Sequence, residues 1–373
     1  MRVQIVDPAA YTPPYDHALA GSLARAGAQV ELVTCEFPYG SVPREPGYGV
    51  TELFYRRSSA AGSGNAKARR AIRAAEHVPG MLRHRRHARA ADVVHYQWLP
   101  VPRLDDRLLA DVHPRVFTMH WRFPEPGSRI AGTLASLLER MDGVVAHSRH
   151  GSERLVSQFG VDPGRIEVIP HGAFDYLTRQ QNEEALPGDL SEAEGPVILA
   201  FGLIRPYKGT DVLLEAFAKM REDAELWIVG RPMVPMEPLR ALADAAPGRV
   251  RFVERFVADT QVPALMRRAD LVTLPYRNIE QSGVLYTALA FGRPLVLSAI
   301  GGFPEVAELG AARTVPPADP DALAAALDEL IADPAERESL GAAALAAAET
   351  HYSWDEIGRR TLAFYERLLT IDR

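Results

Sequence analysis

A chain of 373 residues is too long for one ordinary hydrophobic core and suits two domains, each of under about 200 residues. Hydrophobic content of 47% and charged content of 24% fit a globular protein and exclude a disordered or fibrous one. The net charge of −6 conceals a basic segment and an acidic one, and a single cysteine, Cys35, excludes an intramolecular disulfide and fits a reducing compartment.

The first apolar run, residues 3–6, predicts a strand and is far too short for a signal peptide. No stretch approaches the roughly 20 apolar residues of a membrane span, so the expected location is the cytoplasm. A proline-stiffened loop holding Tyr11, Asp16 and His17 leads into a helix from about residue 16 to 25, closed by Gly27. Strands are predicted at 30–34, 50–55, 93–96, 115–119, 143–146 and 166–169. Residues 58–65, rich in serine and glycine, predict a flexible loop. Beyond it Lys67, Arg69, Arg70, Arg73, Arg83, Arg85, Arg86 and Arg89 face Glu76 alone. This segment reads as a solvated basic helix, or as a surface for anionic lipid or a lipid diphosphate. Without interleaved stacking aromatics it does not read as a nucleic-acid surface. His77, His84 and His87 lie among these arginines with Glu76 as the segment's one carboxylate, so no metal site is expected there.

Residues 181–196 carry Glu183, Glu184, Asp189, Glu192 and Glu194 without a basic partner, and predict an acidic linker spanning 176–195. The strand–helix alternation then resumes, with strands at 197–201, 225–229, 250–253, 271–274 and 295–298. Helices are predicted at 211–220, 261–268, 284–291, 321–332 and 334–349. Ser353-Trp-Asp-Glu356 forms a capping box opening a last helix to about residue 369, with Ile357, Phe364, Tyr365 and Leu368 on one buried stripe. The alternation argues an α/β fold with parallel sheets.

Two motifs in the second half carry chemistry. Gly202-Leu-Ile-Arg205-Pro-Tyr-Lys208 breaks from an apolar strand into a cationic loop. Glu280-Gln281-Ser282-Gly283-Val284 opens a helix that is apolar on every face, so its first amides need partners. Amides at a helix start, with Arg205 and Lys208 opposite, form a site for a diphosphate. Ser282 as a plain helix cap and Lys208 as a solvated lysine are the structural alternatives. His120 ends a strand, where a histidine is either structural or, at the carboxyl edge of a parallel sheet, part of a site. Asp16 is either a favourable charge at a helix start or part of an acceptor-facing loop.

These motifs, in this order and with Phe117-Thr-Met-His120, Val144-Val-Ala-His-Ser148, Val168-Ile-Pro-His-Gly172 and Gly301-Gly-Phe-Pro-Glu305, resemble glycosyltransferase family 4. The resemblance covers nearly the whole chain. It implies the GT-B fold: two Rossmann-like domains with parallel sheets facing across a cleft, and a last helix crossing back to the first domain. The expected division is 1–175 for the acceptor side, 196–352 for the nucleotide-sugar side and 353–373 for the returning helix.

The resemblance also implies transfer of a sugar from a nucleoside diphosphate sugar to a hydroxyl acceptor, lipid-linked ones included, with retained anomeric configuration. It places His120 against the transferred sugar. Two family glutamates are absent, their positions falling at Ile279 and Thr287, and Glu280 is the nearest substitute for the first. Leu203 stands where many members have an arginine, so Arg205 reaches from a shifted position. The expected site is thus His120 and Glu280 for catalysis, and Arg205, Lys208, Gln281, Ser282, Gly283, Val284 and Thr287 for the sugar donor. Tyr11, Asp16 and His17 lie on the acceptor side. The loop of Asp16 and His17 also supports a competing inverting mechanism, in which an Asp–His pair deprotonates the acceptor. No metal and no resident cofactor are expected, since no Asp-x-Asp motif is suitably placed. The rivals are a nucleotide-sugar epimerase on the same fold and a non-catalytic nucleotide-sugar binding protein.

Overall fold

The computed structural model describes residues 1–37, 42, 44–60, 66–246 and 248–371. Its chain divides into two compact units, one of Met1–His171 with Trp354–Arg373 and one of Gly172–Ser353. The first holds seven parallel strands: β1 (Arg2–Val6), β2 (Gln29–Thr34), β3 (Tyr48–Glu52), β4 (Val93–Tyr96), β5 (Arg115–Thr118), β6 (Gly143–Ala146) and β7 (Ile166–Val168). They are ordered β3-β2-β1-β4-β5-β6-β7. The second holds six: β8 (Val197–Phe201), β9 (Glu225–Val229), β10 (Arg249–Val253), β11 (Leu271–Leu274), β12 (Leu295–Ser298) and β13 (Ala312–Val315), ordered β10-β9-β8-β11-β12-β13. Both orders reverse beside their first strand, between β1 and β4 and between β8 and β11. Such a switch point opens a crevice at the strands' carboxyl ends, where α/β proteins bind ligands.

The central strands are short apolar runs because helices cover both faces of each sheet. In the first unit one face packs Val6, Val33, Val94, Phe117 and Val144 against Leu134, Leu137 and Leu138. The other packs Val3, Ile5, Leu32 and Val116 against helix Pro13–Arg25 and the terminal helix Trp354–Ile371. The apolar stripe of that terminal helix, Ile357, Phe364, Tyr365 and Leu368, is buried there. Gly358 permits the close crossing of these two helices, since a Cβ at this position would come within 2.7 Å of the Ser22 backbone.

Several elements depart from expectation. Strand β3 stops at Glu52 rather than 55, and Tyr55 adopts φ 50° to turn its ring into the core. Residues 58–60 belong to helix Arg56–Ala60 instead of a flexible loop, while 61–65 lie outside the described residues. Helix Ala66–His87 is not solvated on all sides: His77, Met81 and His84 are buried, and carboxylates distant in sequence reach its histidines. Asp105 lies 2.5 Å from His77 Nε2, and Glu31 lies 2.8 Å from His87 Nε2. Residues 176–195 pack on the second unit, with Leu190 buried, Glu183 paired to Arg267 and Glu184 accepting from Thr260 Oγ1 at 2.6 Å. Arginines from elsewhere in the chain thus supply the partners that this stretch lacks in sequence. Ser353 Oγ donates to Thr350 O at 2.9 Å, and the last helix starts at Trp354. Among the described residues, no helix is long and apolar enough to cross a membrane.

Candidate functional site

The second unit gathers its polar groups where β8 and β11 end. Past Phe201 the chain turns at Gly202 (φ 95°), a conformation that side chains disfavour. A Cβ at Gly202 would lie 2.9 Å from Lys208 Nζ and 3.1 Å from Val284 Cγ2. The absent side chain therefore lets the ammonium group and the start of helix Gly283–Ala290 converge on one point. Lys208 Nζ donates to Phe201 O at 3.3 Å and lies 5.2 Å from the centre of the Tyr276 ring. Burial, with the nearby charge of Arg205, pulls the Lys208 pKa down to about 8. Arg205 itself is exposed.

Ser282 precedes the helix but makes no side-chain cap; its Oγ instead meets Tyr276 Oη at 3.3 Å. The amides of Gly283 and Val284 have no partner among the described residues, as the first turn of a helix leaves them. Gly283 is exposed and Val284 half-buried. Gln281 accepts from the Tyr286 hydroxyl through Oε1, and Glu280 is buried beside it. Thr287 is buried and donates to Gly283 O at 2.9 Å, so its hydroxyl proton is used inside the helix. The structure thus brings together Lys208 and Val284 at Gly202, with Lys208 and Ser282 both against Tyr276 and the Arg205 charge near Lys208.

In the first unit the carboxyl ends of β1, β4, β5 and β6 lead to Asp7, Gln97, His120 and His147. Asp7 is fully buried and its carboxylate accepts from the amides of Ala9 at 3.1 Å, Tyr11 at 2.5 Å and Thr12 at 3.2 Å. Three amide donors mark Asp7 as the charged partner. Asp16 hydrogen-bonds Asp7, and burial together with that charge pushes its own pKa well above the carboxylate range. Asp16 is therefore held toward its protonated form, where the sequence offered a helix-start charge or an acceptor-facing loop. Among the described residues no hydrogen bond joins its side chain to His17. The His17 Nδ1 faces Tyr48 Oη at 2.6 Å, and burial with the Arg44 charge lowers the ring to about 4. Tyr11 is exposed, its ring edge-on to Trp98 at 5.2 Å.

His120 sits in an aromatic box. Trp98 stacks on it at 5.4 Å between centres, and Tyr15 meets it edge-on at 4.8 Å. Burial first, then the neighbouring His147, His171 and His95, hold His120 far below the usual histidine pKa. Sequence reasoning passed over Asp7, Gln97, Trp98 and His147 as site residues. The available signal was their common position, directly after an apolar strand run. Among the described residues, no cluster of three or more His, Cys, Asp or Glu is placed to hold a metal ion.

Comparison with known proteins places these two crests in context. Residues 15–173 match Glycosyltransferase Family 4, and residues 195–333 match Glycosyl transferases group 1. A D-inositol 3-phosphate glycosyltransferase of Xylanimonas cellulosilytica is 30% identical over 93% of this chain and 89% of its own length. Another protein so named, from a Nocardioides species, is 33% identical over 65% of this chain, and the match spans only 57% of that relative. The crystal structure of Anabaena HepE in complex with UDP and glucose superposes with a TM-score of 0.71. That likeness is at 19% identity and covers 99% of this chain and 100% of the other, so it speaks for the GT-B fold alone. With both halves matched in order and a relative aligned over nearly its full length, the chain belongs to the family 4 glycosyltransferases.

Proposed function

We propose that the protein transfers a sugar from a nucleoside diphosphate sugar to a hydroxyl acceptor, with retention of configuration and without a divalent ion. The observation carrying this reading is the convergence of Lys208 Nζ and the uncapped helix start at Val284 on Gly202. As the glycosidic bond breaks, negative charge builds on the departing diphosphate. The Lys208 ammonium and the two unpaired amides at the helix start would stabilise it, with the exposed Arg205 guanidinium adding positive charge nearby. Gln281 and Ser282 line the same turn, and Glu280 and Thr287 take the positions nearest the family's two glutamates. His120 would lie against the transferred sugar and Tyr11 on the acceptor side. UDP-glucose is the first donor to try, because the Anabaena structure holds UDP and glucose. A phosphorylated cyclitol is the first acceptor to try, from the name of the relatives.

The neutral, tyrosine-bound His17 and the braced Asp16 support retention, since neither is set up as a base of ordinary strength. On helix Ala66–His87, Arg73 lies over the Tyr55 ring at 4.2 Å and Arg85 pairs with Asp111. Arg70, Arg83 and Arg86 on it, and Arg89 just beyond, are exposed, which supports cytoplasmic work at an anionic membrane face.

The decisive experiment incubates the protein with candidate nucleotide sugars, first alone and then with acceptors, following products by proton NMR. A new glycoside of unchanged anomeric configuration, formed equally in EDTA, is the expected result. Conversion of the donor without any acceptor would make the protein an epimerase, and binding without conversion would make it a non-catalytic binder. An inverted product would overturn the stereochemical reading.

A further inference from the structure

Gln97, His120 and His147 form a line of hydrogen bonds in the first unit whose direction is set at one end. His147 Nδ1 lies 2.9 Å from the carbonyl oxygen of Ile169. A carbonyl only accepts, so that nitrogen carries the ring proton. Burial pushes His147 down to about 4, so near neutral pH the ring is uncharged and Nε2 has a lone pair. His120 Nδ1 stands 3.2 Å from this Nε2 and must donate to it. His120 is neutral for the same reason, which leaves its own Nε2 as an acceptor.

At that point two acceptors face each other, because Gln97 Oε1 lies 2.9 Å from His120 Nε2. The Gln97 amide nitrogen, meanwhile, is buried with no partner. A half-turn of the amide removes the clash of acceptors, aiming N–H at His120 Nε2 and leaving the oxygen in the unpartnered place. The other solution, a His120 cation donating to Gln97 Oε1, would place a buried charge beside His95, His147 and His171.

We propose that Gln97 and His147 are positioning residues that hold His120 as its Nδ1–H tautomer, with Nε2 accepting from the Gln97 amide. The stack of Trp98 and the edge of Tyr15 fix the plane of the ring, and Trp98 is in turn anchored by its Nε1–H to Thr12 Oγ1 at 2.8 Å. Resting on the reading that His120 meets the transferred sugar, this assigns its contact: with Nδ1–H given to His147 and Nε2 occupied by Gln97, the ring meets the sugar by packing alone and supplies no proton to the leaving phosphate.

Nitrogen-15 NMR of histidine-labelled protein reads the tautomer without any substrate. The expected spectrum shows His120, identified by its loss in His120→Phe, protonated at Nδ1 and bare at Nε2 near pH 7. In Gln97→Glu the ionised side chain can only accept, so where that carboxyl is deprotonated both His120 nitrogens should become protonated. If transfer is established, kcat should then fall by up to about 100-fold with little change in KM. Gln97→Met, which keeps the volume but has no amide, should retain the Nδ1–H form because Ile169 still sets the direction. A wild-type proton on Nε2 would overturn the proposal, as would a folded Gln97→Glu variant whose carboxyl reads as ionised by carbon-13 NMR and whose His120 spectrum still matches wild type. Failure of sugar transfer alone would leave the tautomer result standing and overturn only the assigned contact.

Discussion

The two sheets share strand order through their first six members, yet the loops at their carboxyl ends are built on opposite electrostatic plans. In the first unit the groups are neutralised by burial: His95, His120 and His147 are held uncharged and Asp16 keeps its proton against Asp7. In the second, positive charge is retained on Lys208 and Arg205 beside amides that no side chain caps. One crest therefore offers hydrogen bonds and ring faces suited to hydroxyls, and the other a cationic cradle suited to phosphate. A shared scaffold says little about chemistry; the desolvation of particular side chains decides it.

The contrast should show most strongly in acid. His84 and His147 are lowered to about 4 and His95 to about 3, against an ordinary value near 6.5. Below pH 6.5 the unfolded chain binds protons that the folded first unit refuses, so stability falls as pH drops from 6.5 toward 4. Each such group costs up to about 3 kcal/mol across that window. Hydrogen exchange at pH 7 and pH 4.5 should show the first unit losing protection well before the second. Equal loss in both would break the comparison.

The next largest effect tests the cationic crest. Lys208→Ala should weaken binding of a nucleoside diphosphate by about 1.5–3 kcal/mol, measured by calorimetry, with the melting temperature little changed. Arg205→Ala, more exposed, should cost less. Unchanged affinity in both variants would remove the diphosphate site.

The same lysine predicts a titration. With Lys208 near 8 in the free protein, an anion gains less from the protein as pH rises past that value and the ammonium is lost. Affinity for a nucleoside diphosphate should therefore fall between pH 7 and 9 in the wild type and stay flat in Lys208→Ala. A wild-type profile flat over that range would mean another group supplies the charge.

The smallest expected change is at His17. Because the ring is already neutral and bound to Tyr48, His17→Ala should keep most of the activity, while His120→Ala should lose nearly all of it. Steady-state rates of the two variants, side by side, give the answer. A dead His17→Ala with an active His120→Ala would move the chemistry to the other loop.

Much of the fold was legible because parallel α/β units write themselves locally. Strand runs such as 197–201 and 225–229 are apolar, short and bounded by turn residues, and they fall where β8 and β9 stand. The cationic loop and the Ser282-Gly283 turn were legible for a similar reason, since backbone and side chain act within a few residues of each other. Strand β13 was overlooked because Ala312-Arg-Thr-Val315 has no apolar run to mark it, and its place is secured by pairing with β12. Helix Ala66–His87 looked solvated because its partners, Asp105, Glu31 and Tyr55, lie elsewhere in the chain.

Taken alone, the amino-acid sequence determined the α/β class, the order of most strands along the chain and the position of the cationic loop, all consequences of short-range periodicity and turn chemistry. Only the tertiary structure decided which groups are charged. Asp16 and His17 are neighbours in sequence, yet one is bound to Asp7 and the other to Tyr48. The tautomer proposed for His120 depends on Gln97 beside it and on Ile169 acting through His147, residues that follow different strands. Protonation follows burial and the partners that folding assembles, and neither is a property of nearby sequence.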